Sequence, residues 1–118
     1  MMSVPADAAA RLSATARRAV SARDWPTVGR CARKLLQIDR RGAEGWFLSG
    51  LAEKAAGNRQ RAAAALSRAL HYDAGRYDAA VELAAVHAAD VRNSDAKTLL
   101  AISALPFVRW VGHLSHRD

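Results

Sequence analysis

Leu35-Leu36-Gln37-Ile38-Asp39 and Ala69-Leu70-His71-Tyr72-Asp73 stand 34 residues apart, and the echo between them decides how the rest of the chain is read. Outward from this pair, the same offset aligns Ala16, Gly50 and Ala84, and again Val28, Ala62 and Ala96. Leu35, Ala69 and Ser103 form a further column; Ala32, Leu66 and Leu100 form another, as do Leu36, Leu70 and Ala104. A fixed period of this size marks a chain built from stacked supersecondary units. Small residues suit the places where two helices cross closely, and larger ones the places where the next pair packs.

The offset divides the chain into blocks running 9–42, 43–76 and 77–110. Punctuation puts two helices in each. Asp24 and Asn58 are suited to cap the second helices of the first two blocks, and Pro26 fits a first helical turn. Gly57 can end the helix before it in a left-handed conformation, and Ser94-Asp95 can open the matching helix of the third block. With loops at Arg40-Arg41-Gly42 and Ala74-Gly75, the pattern predicts helices over 8–22, 25–38, 43–56, 59–72, 76–90 and 95–104.

Composition agrees. The 118 residues suffice for one domain with one core. The hydrophobic fraction is 51%, much of it alanine, while β-branched residues are few, which favours helix over sheet. Cys31 is the only cysteine, excluding an internal disulfide or a multi-cysteine metal cluster and pointing to a reducing, cytoplasmic setting. No apolar run approaches the roughly 20 residues needed to span a bilayer. Asp7, Arg11, Arg17 and Arg18 interrupt any secretory leader. The Arg-rich start also has the look of an organelle transit peptide, but it fits the first block as well.

The net charge of +7 is uneven. Residues 1–42 carry nine basic and three acidic side chains, 43–76 five and three, and 77–118 four and five. The N-terminal third could therefore attract acidic peptides, nucleic acid or an anionic surface, or be a solvated Arg-coated face.

With Trp46, Gly50, Ala62, Leu66 and Ala69 in place, the middle block resembles the tetratricopeptide repeat family, whose unit is a helix-turn-helix of this length. Departures are Ala74 at the closing proline, Glu53 at the first-helix tyrosine, Leu12 and Ala80 at the tryptophan position, and Arg23 for the turn glycine. The resemblance covers about residues 9–110. It implies an all-α solenoid of about three helix-turn-helix repeats. A short capping helix would follow at about 106–116, built on Phe107, Trp110, Val111 and Leu114. The same apolar segment could instead begin a fourth repeat or mediate self-association.

The resemblance also implies a concave groove lined by the first helices. The matching positions are Ser13, Arg17 and Val20 in the first block, Glu44, Phe47, Leu51 and Lys54 in the second, and Asp78, Val81, Ala85 and Ala88 in the third. Arg17 and Lys54 would lend it positive charge, and Phe47 and Leu51 an apolar floor. The expected partner is another protein or peptide, extended or helical, with an acidic and an apolar component. The family's clamp for a C-terminal carboxylate is not reproduced, since Leu48 and Glu82 stand among its positions.

Catalytic chemistry is not visible. His113 and His116 have helical metal-ligand spacing but no carboxylate between them. Cys31 lies beside Arg30, Arg33 and Lys34, yet its column holds Ala65 and Leu99, so burial is expected. His87 is expected to pack, and His71 to complement a helix C-terminus. No nucleophile triad, phosphate loop or carboxylate pair appears. The chain is expected to be no enzyme within these residues, with no cofactor and no metal, and to act as an interaction scaffold. One alternative is the N-terminal repeat region of a larger bacterial enzyme, sulfotransferase-like or glycosyltransferase-like, to which the end after three blocks also points. Nucleic-acid binding ranks third, because only Trp25 offers a stacking ring among the basic residues.

Overall fold

The computed structural model describes residues 4–103, all of whose regular structure is helical. In chain order these are α1 (Val4–Ser21), α2 (Trp25–Ile38), α3 (Ala43–Ala55), α4 (Arg59–Tyr72) and α5 (Tyr77–Ser103). Packing divides the chain into Met1–His87 and Ala88–Asp118. In the first unit α1 packs on α2, α2 on α3 and α3 on α4. Ala79, Leu83 and Val86 of α5 join the same core.

The turns show why pairs form. Between α1 and α2, Arg23 adopts a positive φ of 57°; between α3 and α4, Gly57 does so at 84°. Around each, the same two hydrogen bonds close the preceding helix. Arg23 N–H donates to Val20 O and Asp24 N–H to Ala19 O, just as Gly57 N–H donates to Lys54 O and Asn58 N–H to Glu53 O. This is the Schellman arrangement, which satisfies carbonyls a helix end leaves orphaned. Asp24 then caps α2 through its carboxylate, which accepts from Thr27 N–H at 3.3 Å. Asn58 occupies the equivalent place without a side-chain cap; its amide donates to Glu53 at 2.8 Å instead.

Asp39 and Asp73, the last residues of the two echoing stretches, end α2 and α4 in matching extended conformations. Each carboxylate accepts a backbone N–H two residues on, from Arg41 at 2.9 Å and Gly75 at 3.1 Å. Such a side-chain turn releases the chain toward its next helix.

The small-residue positions bring helices together in the first unit. Ala16 and Gly50 are buried, and a methyl group at Gly50 would sit 2.6 Å from Leu66 Cγ. At Gly45 it would meet Leu36 at 2.9 Å. Val28, Leu48, Ala62, Leu66 and Ala69 are almost wholly shielded, and Cys31 is buried as expected.

The third block departs from expectation. Instead of helices over 76–90 and 95–104, α5 runs unbroken from Tyr77 to Ser103, with Ser94 and Asp95 inside it. The column holding Arg23 and Gly57 continues to Val91, and the cap column of Asp24 and Asn58 continues to Arg92. A β-branched side chain is strongly disfavoured at positive φ, so the left-handed turn has no residue to form on. Ala84, expected at a close helix crossing, is exposed; so is His87, expected to pack. α1 also begins earlier than expected, at Val4. The capping segment at 106–116, the paired histidines and the end of the third block lie outside the described residues.

Two glycines give opposite expectations. Gly50→Ala must displace buried Leu66 and is expected to cost about 1–3 kcal/mol in urea unfolding. Gly29→Ala, whose added methyl meets only ordinary contacts at 3.7 and 3.8 Å, is expected to stabilise α2 by about 0.5–1 kcal/mol.

Candidate functional site

The end of α1, the start of α2, one face of α3 and the first turns of α5 enclose an open cavity of about 580 Å³. Val20 comes from α1 and Trp25 from the start of α2; together with Phe47, Leu48 and Leu51 of α3 they make its apolar lining. Helical spacing puts the α3 residues on one stripe. Charged groups stand around them: Arg17, Lys54, Asp78 and Glu82.

Of the sequence-derived groove residues, Arg17, Val20, Phe47, Leu51, Lys54 and Asp78 are thus brought together. Ser13 does not line the cavity; its hydroxyl donates to Glu44 beside it. Val81, 66% exposed, is not among the lining groups, and neither are the exposed Ala85 and Ala88.

Both cations expected to make the groove positive are ion-paired. Arg17 meets Glu44 at 2.9 Å and Lys54 meets Glu82 at 2.6 Å. Glu44 also receives Arg76 at 2.9 Å, while Arg76 bonds Asp78 through Nε at 3.1 Å and Nη2 at 2.7 Å. The Arg76 guanidinium lies over the Phe47 ring, 4.6 Å from its centroid. Three cations therefore face three carboxylates, and the charge here is balanced rather than positive.

The network sets the titration of its members. Partial burial works against ionising Glu44, but hydrogen bonds from Ser13 and Arg76 and the charges of Arg17 and Arg76 outweigh it and hold its carboxyl below the usual range. Asp78 is lowered chiefly by its hydrogen bond from Arg76, with help from Ala79 N–H and nearby cations against a smaller burial effect. Arg76 is raised by Asp78 and, against desolvation, by Glu44.

Arg76 escapes a reading of the sequence because nothing local marks it. It falls in the column of Gly42, a helix-entry position, and only the folded chain, which brings it to Glu44 and over the Phe47 ring, gives its side chain a task. Trp25 stands out in the sequence only as a ring among basic residues, and Glu82 only as a departure from the family's clamp. Glu82 sits four residues after Asp78, a helical spacing that could have signalled a shared face.

Among the described residues, no group of His, Cys, Asp and Glu side chains could hold a metal ion. No described helix is long and apolar enough to cross a membrane.

Because Glu44 and Asp78 have lowered folded pKa values, their contribution to stability is complete above the ordinary values of 4.5 and 3.8 and is lost as pH falls through the lower folded values. Urea midpoints are therefore expected to drop on acidification from neutral pH to about pH 3, and to drop less in Glu44→Gln than in the wild type. Arg76→Ala removes the shared cation and is expected to cost about 1–3 kcal/mol at neutral pH, measured the same way.

Comparison of the chain with protein-family models, with curated proteins and with solved structures finds no match.

Proposed function

We propose that this chain is a tetratricopeptide-like α-solenoid module that holds a segment of another protein in the α1–α3–α5 cavity and performs no catalysis in these residues. The observation that carries the reading is the cavity itself, an open space of about 580 Å³ with an apolar lining ringed by charged side chains. Concave, largely apolar surfaces with a few polar groups are where proteins take ligands. The solenoid reading is supported by the matched Schellman turns at Arg23 and Gly57 and the matched aspartate turns at Asp39 and Asp73.

The guest segment places an apolar side chain against Val20, Trp25, Phe47 and Leu51. It presents a carboxylate to the rim. Arg17 and Lys54 are paired but not spent: their side chains remain 57% and 41% exposed, and each keeps N–H donors beyond those given to Glu44 and Glu82. An acidic guest competes with these resident carboxylates, which favours modest affinity and easy release. The buried, unpaired Cys31 fits a reducing, cytoplasmic setting.

Site-specific photo-crosslinking checks this. A crosslinker at Lys54 is expected to capture a discrete protein from native lysate, and one at the exposed Arg61 of α4 is not. The Arg17→Glu/Lys54→Glu double variant, with an unchanged circular dichroism spectrum, is expected to lose that protein from a pull-down. Undiminished capture by the double variant refutes the groove as the binding surface.

A further inference from the structure

The chain has a second surface whose electrostatics differ from those of the groove. Along α2 run two adjoining cavities that share Arg33. One, of about 580 Å³, is bounded by Trp25, Arg30 and Arg33 on the α2 side. The other, of about 280 Å³, is bounded by Arg33, Leu36, Gln37, Arg40 and Trp46. Trp46 is fixed in place, because its indole N–H donates to Arg40 O at 2.7 Å and the Arg68 guanidinium covers its ring at 4.8 Å. The result is a track with an indole at each end and guanidinium groups between, laid along a helix of 14 residues or about 21 Å.

Among the described residues most of the arginine charge here has no ion-pair partner, although Glu53 also lines the larger cavity. Arg33, Arg40 and Arg68 are exposed and make no ion pair among the described residues, whereas Arg17, Lys54 and Arg76 in the groove are all paired. Arg30 bonds the Thr27 hydroxyl and lies in the field of Asp24. Asp39 accepts from Arg41 N–H, and Glu53, itself part of the larger cavity's lining, accepts from Asn58; the smaller cavity has no carboxylate in its lining.

From this arrangement we infer that the α2 face binds single-stranded nucleic acid, with Arg33, Arg40 and Arg68 on phosphates and Trp25 and Trp46 as stacking platforms. Charge complementarity names the occupant's sign, and the alternation of indole and guanidinium names its class. A strand offers a flat base and a phosphate in regular succession, and planar guanidinium groups suit phosphate oxygens. An acidic peptide offers the charge without the rings. Trp46 stands just past the Arg-rich third in sequence, and the packing of α3 on α2 brings it alongside Arg33 as well as Arg40.

The test is fluorescence anisotropy with the full chain and a labelled, mixed-sequence oligonucleotide of about a dozen nucleotides. Three phosphate contacts give a salt slope near −2, so affinity is expected to fall roughly 20-fold between about 50 and 200 mM salt. Arg33→Glu/Arg40→Glu is expected to abolish binding. Arg17→Glu/Lys54→Glu, which changes net charge equally, is expected to leave it within about twofold, since Trp25 borders both surfaces but Arg17 and Lys54 line neither cavity of the track. Trp46→Leu is expected to weaken binding by about fivefold or more with the salt slope retained. Trp46 is partly buried, so if that variant unfolds the exposed pair Arg33 and Arg40 decides the outcome.

Three results overturn the assignment: no binding at low salt, equal loss in both charge-reversal pairs, or polyglutamate of equal charge binding as tightly with the same variant pattern. None of them bears on the groove, whose own crosslinking assay stands apart.

Discussion

Everything in the first unit depends on one backbone constraint: a single residue in the left-handed region where one helix hands over to the next. Arg23 and Gly57 supply it, and around each the chain reverses with both its closing hydrogen bonds in place. Reversal sets α1 against α2 and α3 against α4, and the missing side chain at Gly50 lets Leu66 lie against the α3 backbone. Arg23 adopts this conformation without glycine's freedom; the packing it permits outweighs the local steric cost. At Val91 the cost is greater still, and the helix runs on.

The helices of the first two blocks were legible because their signals are local. Asp24, Pro26, Gly57 and the loops at Arg40-Arg41-Gly42 and Ala74-Gly75 each act within a few residues of themselves, and α2 and α4 end just before those loops. The third block misled because Ser94-Asp95 has the composition of a helix start. A capping residue cannot break a helix by itself; it needs a preceding position able to turn, and Val91 is not one. The site was legible as a set of faces and illegible as a set of bonds. That Phe47, Leu51 and Lys54 share a stripe follows from helical spacing, but that Glu44 is contested by Ser13, Arg17 and Arg76 follows only from packing.

The two surfaces differ in their balance of charge. The groove gathers acids and bases in equal number, whereas the smaller cavity on the α2 face is lined by Arg33 and Arg40 with no carboxylate. A net charge of +7 is thus poorly described as an even coat. Its excess lies partly where two indoles also lie, while the cavity with the apolar lining is close to neutral.

Glu44 has a further meaning for any guest of the groove. Its carboxylate ties Arg17 of α1 and Arg76 at the entry to α5 to one point on α3. Arg17 keeps N–H donors beyond the one given to Glu44, so a visiting carboxylate could join that ion pair without releasing it. Guest and Glu44 would then share one guanidinium, and the repulsion between two neighbouring carboxylates would limit how tightly an acidic segment is held.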